Sequence, residues 1–274
     1  MSLAHALEMA TASDPGMVRS HNEDSILADA MQGVAVLADG MGGYNAGEVA
    51  SGMATSLMAS ELNGLAPDLA RHAGDPDRGR ARVESLLRDR IERVNKAIFE
   101  ASQTETQYAG MGTTLVVALF HDNRVTLAHI GDSRAYRLRG DELVQITKDH
   151  SLLQEQIDSG MISPEQARYS QNKNLVTRAL GIDPVVDPEI HEHPTQPGDI
   201  WLLCSDGLND MVGDEDIAVT LGSLAANLEL AARQLVQMAN DNGGRDNVSV
   251  ILVKIVRDFG APKSVMARLL GRFR

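Results

Sequence analysis

Cysteine is nearly absent from this chain: Cys204 is the single one in 274 residues. A lone thiol excludes an intramolecular disulfide and fits a reducing compartment; its position in the apolar run Trp201 to Cys204 marks it as a buried structural side chain. Cysteine-dependent phosphate chemistry is disfavoured too, because no glycine-rich, Arg-terminated loop follows it. Aromatic residues amount to 3%. No stretch approaches the roughly 20 apolar residues of a membrane span. The N-terminus MSLAHALEMATAS has neither a basic segment nor an unbroken apolar one, so no secretory signal is read and a cytoplasmic location is expected. There is no P-loop pattern to cradle a nucleotide, no Cys/His spacing suited to zinc, and no repeat or low-complexity tract. Positive charge is also scarce. A formal charge of -13 argues against a surface that neutralises nucleic-acid phosphates. If several aspartates hold divalent cations, that count overstates the charge of the loaded protein.

What the chain does contain is an ordinary globular share of apolar residues, 43%, arranged in alternating strand and helix patterns. Leu7 to Ser13 reads as a first strand, closed by the Asp14-Pro-Gly16 turn and followed by a charged cluster from Arg19 to Asp24. Val34 to Ala38 reads as a buried strand. Helices are expected over Ala46 to Leu62 and about Arg80 to Ser102, with a surface loop from Asn63 to Gly79. A meander follows, with strands at Thr113 to Phe120, Arg124 to Ile130, Ala135 to Arg139 and Glu142 to Ile146, whose short connections suggest antiparallel neighbours. Lys148 to Leu180 breaks the pattern with two short helical pieces and reads as an insertion riding on the sheet. Strands at Glu189 to His193 and Asp199 to Ser205, helices at Asp214 to Leu221 and Leu228 to Asn240, and a last strand at Asn247 to Val256 complete the domain. The expected class is α+β, two antiparallel sheets packed face to face with helices outside. The tail from 257 to 274 is short and basic, read as a loosely docked end rather than a helix for an anionic surface or partner.

Three apolar runs end on an aspartate: GVAVLADG at Asp39, VTLAHIGDSR at Asp132 and DIWLLCSDG at Asp206. A fourth, Asp246, immediately precedes the strand NVSVILVKI. Any one of them has a turn as its simplest reading, since Asp-Gly is a common hairpin dipeptide. Four together are different, because antiparallel neighbours bring the end of one strand and the start of the next to the same edge. Aspartates with a glycine carbonyl and water suit a hard cation, Mg²⁺ or Mn²⁺. Two such ions about 4 Å apart can hold and deprotonate a water for in-line attack on a phosphoryl group. Arg19, beside such a site, is suited to hold phosphate oxygens, its plainer reading being a surface salt bridge, and Glu23 and Asp24 could reach the metals through water. His191 and His193 alternate along a strand and are read as solvent-facing or core residues.

The segments RSHNED, LADGMGGYNAGEVAS, GMGTTLVVALF, AHIGDSRAYRL, CSDGLND and GGRDNVSV resemble, in order, the motifs of the PPM-type (protein phosphatase 2C-like) metal-dependent serine/threonine phosphatases, bacterial branch. The resemblance runs from about Ala6 to Ile255. It implies a four-layer α-β-β-α sandwich forming a single phosphatase domain over 1–256, and a binuclear Mn²⁺ or Mg²⁺ site between the sheets. On it, Asp39 bridges the metals and Gly40 supplies its carbonyl. Asp206 and Asp246 complete the ligands, Asp132 with Asp206 holds a third, weaker metal, and Arg19 binds the substrate phosphate. Glu23, Asp24 and Asn247 support the site, and residues 148–180 correspond to a flap in which Thr177 and Arg178 are candidate substrate contacts. Where some relatives carry a histidine after the Asp-Gly pair as general acid, this chain has Met41, with Tyr44 farther on. Methionine donates no proton.

The implied activity is hydrolysis of phosphoserine and phosphothreonine in proteins. Its partners would be phosphoproteins, including a Hanks-type kinase or its substrates, acted on by a monomer. Two other readings remain at this point: a metal-binding phosphoprotein adaptor without turnover, supported by the missing histidine alone, and a phosphatase of small phosphate esters.

Overall fold

The computed structural model describes residues 3–43, 46–65, 76–167 and 175–260. Tyr44, residues 66–75 of the surface loop, residues 168–174 of the insertion and the tail from 261 onward lie outside the described residues.

The described strands form two antiparallel sheets. In one, the order is β1 (Leu7–Asp14), β11 (Val248–Ile255), β10 (Ile200–Cys204), β7 (Arg134–Arg139), β8 (Glu142–Gln145). In the other it is β2 (Asp24–Asp29), β3 (Val34–Met41), β5 (Leu115–His121), β6 (Arg124–Ile130), β9 (Glu189–Pro194), with the two-residue β4 (Gly112–Thr113) on the end of β3. Three apolar layers make the stack. Helices α1 (Ala46–Leu62) and α2 (Pro76–Thr104) cover the outer face of the second sheet through Met58, Leu87, Ile91 and Ile98 on Val36, Val117 and Ile130. Between the sheets, Leu37, Val116 and Phe120 meet Trp201, Leu203 and Ile251. On the far side, α6 (Asp214–Ser223) and α7 (Leu228–Asp241) place Ile217, Leu221 and Leu235 against Leu202, Val250 and Leu252. Because each sheet is covered on both faces, the central strands are apolar at consecutive positions instead of alternating with polar ones. The expected α-β-β-α sandwich is the observed one, and Cys204 is buried in it.

Three expectations are corrected. The run from Thr113 to Ile146 is not one meander: β5 pairs with β6 and β7 with β8, but between β6 and β7 the chain leaves one sheet and enters the other. The crossing is the Gly131-Asp-Ser-Arg134 turn. Gly131 takes φ +101°, and a Cβ there would stand 2.6 Å from the Thr114 side chain, so the switch of sheets needs a glycine. The second long helix begins at Pro76, earlier than expected, proline being well suited to a first helical position. Finally, β2 was not expected. Its residues are all half-buried, which erases the alternation that marks a strand.

The small helices α3 (Leu152–Asp158) and α4 (Pro164–Ala167) belong to the insertion, and α5 (Asp206–Asn209) follows β10 directly. The insertion leaves and returns as a paired stem: Ser151 bridges Val176, and Leu180 bridges Thr113. Among the described residues, no helix is long and apolar enough to cross a membrane.

Candidate active site

The sheet crossing and the antiparallel ladders bring the aspartates to one end of the sandwich. β10 runs antiparallel to β11, so Asp206, just past the first, and Asp246, just before the second, share an edge. β3 and β6 both run antiparallel to β5 and so finish in the same direction, carrying Asp39 and Asp132. Asp24 at the start of β2 stands directly across from Asp39. The electrostatics follow from the same convergence. Burial, together with Asp24, Asp206, Asp132 and Asp246, pushes the Asp39 carboxyl well above its ordinary range. Burial and the charges of Asp132, Asp210, Asp246 and Asp24 do the same to Asp206. Asp24 and Asp132 are each pushed up to about 6, chiefly by burial. Two unit charges ~5 Å apart at an effective dielectric of ~20 repel by roughly 3 kcal/mol, so such a cluster is stable only if it is protonated or neutralised by cations.

The Asp39 peptide is held from both sides. The Asp39 carbonyl accepts from Thr114 N–H at 2.9 Å and from the Thr113 hydroxyl at 2.9 Å, while Asp39 N–H donates to Thr114 Oγ1 at 3.0 Å. Thr114 Oγ1 is in turn 2.7 Å from Ser133 Oγ, which joins the Asp39 strand to the sheet-crossing turn. The peptide after Asp39 packs without room to spare: a Cβ on Gly40 would lie 2.1 Å from the Gly47 carbonyl oxygen in the first turn of α1. Ser205 stitches the sheets together, its hydroxyl donating to Asp24 Oδ2 at 2.8 Å and accepting from Ser249 N–H at 2.9 Å. The other oxygen of Asp24, Oδ1, is buried with no hydrogen-bond partner among the described residues. An orphaned carboxylate oxygen inside an all-oxygen cluster fits a hard divalent cation, which is the observation that the expected Mn²⁺ or Mg²⁺ must meet.

Arg19 Nη2 donates to Asp246 Oδ2 at 2.7 Å, with its side chain 52% exposed at the rim. An ion pair so exposed is weak and is readily exchanged for a phosphate. Asn247 supports the Arg19 loop from below: its Nδ2 donates to the Pro15 and His21 carbonyls, both at 2.9 Å, and its Oδ1 accepts from Glu23 N–H at 2.8 Å. Glu23 is drawn toward α1, where its carbonyl accepts from Gly40 N–H at 3.1 Å and Ser51 Oγ at 2.5 Å. Met41 closes β3 opposite Gly112. Thr177 and Arg178 are both exposed on the returning leg of the insertion.

Sequence reasoning did not find Ser205, Ser249, Thr113, Thr114 or Ser133, because hydroxyls in strands and at strand ends carry no spacing signal and are identified only by what they face. It also found no histidine cluster, yet the fold gathers His129, His150 and Glu189 with ligand atoms within 4.8 Å. These do not converge as zinc ligands. The two imidazoles are stacked, with centroids 4.7 Å apart and planes 16° from parallel, so their in-plane lone pairs run side by side. His129 Nε2 faces the Lys148 carbonyl oxygen at 2.8 Å, and His150 Nδ1 accepts from Gly131 N–H at 3.2 Å. His191 is exposed on Glu189, and His193 lies half-buried beside Trp201, as expected of solvent-facing and core residues.

Residues 18–247 match the family model described as protein phosphatase 2C. The serine/threonine protein phosphatase PstP of Mycobacterium tuberculosis is 39% identical over 264 residues, covering 95% of this chain; the chain spans about half the length of that relative, 48%. The serine/threonine phosphatase stp of Listeria innocua is 38% identical over 88% of this chain and 93% of its own length. A solved structure of the catalytic domain of PstP in complex with two manganese ions superposes with a TM-score of 0.77 at 38% identity, covering 92% of this chain and 99% of that one.

Proposed function

The chain belongs to the protein phosphatase 2C family, and from that premise we propose that it hydrolyses phosphoserine and phosphothreonine in proteins, using Mn²⁺ or Mg²⁺ held at its carboxylate centre. The observation that carries this reading is the gathering of Asp24, Asp39, Asp132, Asp206 and Asp246 from both sheets at one end of the sandwich, with Asp24 Oδ1 buried and without a hydrogen-bond partner among the described residues. Asp39 with the Gly40 carbonyl, Asp206 and Asp246 would hold two ions, and Asp132 with Asp206 would hold a third, weaker one. Such ions, when bound, supply Lewis-acid chemistry, acidifying water for use as the nucleophile and neutralising the phosphoryl oxygens.

The chain's own residues prepare for that chemistry. Thr113 and Thr114 hold the Asp39 peptide from two sides, so the backbone that carries the carboxylate is set before a cation arrives. Ser205 keeps one oxygen of Asp24 occupied and leaves the other facing the cluster. Arg19, turning from Asp246 to the substrate, would hold two phosphate oxygens with its planar fork. Met41 supplies no proton to the leaving alkoxide, so that proton comes from elsewhere in the centre. Residues 1–256 act as one catalytic domain, with 148–180 as a flap beside the site. The chain works as a monomer in the cytoplasm on phosphoproteins, among them a Hanks-type kinase or its substrates; its acidic charge and single buried thiol are consistent with that setting.

Arg19→Ala tests the substrate side. Losing a charge-assisted hydrogen bond is worth about 1.5–3 kcal/mol, so kcat/KM for a phosphothreonine peptide should fall by ~10–100-fold, mostly through KM, with partial recovery in Arg19→Lys. The same assay compares phosphopeptides with small phosphate esters. Faster turnover of the esters would favour the small-molecule reading, and binding of the peptide without release of phosphate would favour an adaptor.

A further inference from the structure

The insertion starts with Lys148-Asp-His-Ser151, and two of these residues hold the sheet-crossing turn from opposite ends. His150 takes the first residue of the turn: its main-chain N–H donates to the Gly131 carbonyl at 2.9 Å, and its ring Nδ1 accepts from Gly131 N–H at 3.2 Å. Asp149 takes the last residue, receiving Arg134 Nε at 2.9 Å and Nη2 at 2.7 Å, while Arg134 Nη1 continues to the Tyr136 hydroxyl at 3.0 Å. Between these fixed ends lie Asp132, 7% exposed, and Ser133, bonded to the threonine that holds Asp39.

The ring of His150 is itself held. Burial, with the neighbouring His129 and Arg178, keeps it below its ordinary pKa and so neutral near pH 7. Nδ1 therefore keeps its lone pair for Gly131 N–H, and Nε2–H faces Glu189 Oε2 at 3.4 Å. His129 stacks on the same ring, and Glu189 is steadied from its other side by His191 Nε2 at 2.7 Å. The carbonyl of His150 accepts from Thr177 N–H at 2.8 Å on the returning leg of the insertion, next to the Leu152 N–H bond to the Leu175 carbonyl at 2.9 Å. One residue thus joins both legs of the insertion to the peptide preceding Asp132.

We propose that Asp149 and His150 are positioning residues that set Asp132 for cation binding and tie its placement to the seating of the insertion. This rests on the reading of Asp132 as a ligand of the weaker ion. A surface loop tied to the rest by packing alone would not need both main-chain groups of Gly131 and both forks of Arg134.

The test is a Mn²⁺ titration of the full chain, stripped with chelator and followed by electron paramagnetic resonance, on the unaltered protein and on Asp132→Ala, His150→Leu, His150→Asn and His150→Gln. The amide oxygen of asparagine stands near Nδ1 and can accept from Gly131 N–H; that of glutamine reaches the Nε2 position. Supporting side chains behind a metal ligand are worth about 10–100-fold in affinity, so His150→Leu should weaken the last ion by at least about 10-fold and leave the two tighter ones unchanged. His150→Asn should restore the weak ion and His150→Gln should not, and where the leucine variant does not fold these two carry the test. A weak ion bound normally by His150→Leu, or equal behaviour of the asparagine and glutamine variants, overturns the proposal while Asp132→Ala still lacks that ion. Retention of the weak ion by Asp132→Ala overturns the underlying reading of Asp132 itself.

Discussion

Asp39→Asn should abolish turnover and, at the same time, make the metal-free protein harder to unfold. Asparagine keeps the size and one oxygen of the side chain but loses the charge that two cations would share. A loss of ~4 kcal/mol in transition-state stabilisation corresponds to about 10³-fold in rate, and we expect at least that. The stabilisation follows from the same burial. In the metal-free fold Asp39 is packed among Asp24, Asp206, Asp132 and Asp246 in a site that resists ionisation, whereas in the unfolded chain it ionises freely. Removing the charge removes that penalty, so thermal unfolding in chelator should shift to higher temperature in the variant. The Mn²⁺-induced rise in Tm should shrink. Full activity in a folded Asp39→Asn protein would contradict the mechanism, and a sharply lowered Tm in chelator would contradict the electrostatic account of the cluster.

The second large effect is a reversal of the pH dependence of stability on loading with metal. Asp24 and Asp132 have folded pKa values of about 6 against an ordinary 3.8, so between those values the native metal-free state binds more protons than the unfolded chain. Stability then falls as pH rises from about 4 to above 6, and Asp39 and Asp206, shifted in the same direction, extend the window upward. In chelator, Tm at pH 5.5 should exceed Tm at pH 7.5. With Mn²⁺ the order should invert, because cations and protons compete for the same oxygens. At one hundred times Kd each site adds about 2.7 kcal/mol, and two sites convert to a rise of ~10–20 °C for a domain of this size. Differential scanning calorimetry at the two pH values, with and without Mn²⁺, reads all four quantities. Parallel pH trends in the two states would show that the aspartates do not crowd as described.

Both effects arise from a feature that was largely legible in the chain. Asp39, Asp132, Asp206 and Asp246 could be singled out because apolar runs stop on them, and the antiparallel rule was enough to bring them to one edge. The long helices and the two-sheet class followed from periodicity in the same way. What periodicity could not carry was connectivity. The strands on either side of Gly131-Asp-Ser-Arg134 look like a hairpin in sequence, and only the pairing of β6 in one sheet and β7 in the other reveals that the turn joins different sheets. Asp24 was placed near the site but not opposite Asp39, since β2 is half-buried along its whole length and shows no alternation. The threonine and serine hydroxyls and His150 were invisible for another reason: their roles depend on partners 19 or more residues away, such as Thr114 for Ser133, Ser205 for Asp24 and Gly131 for His150.

The account stands or falls on whether the carboxylate centre needs divalent cations to release phosphate from a phosphorylated serine or threonine. The most direct measurement is phosphate release from a phosphothreonine peptide by chelator-stripped protein as Mn²⁺ is added back in known ratio to the protein. The expected result is no release from the stripped protein and an onset of turnover as two equivalents bind. Turnover in excess chelator, or none with the tight sites filled, would contradict it.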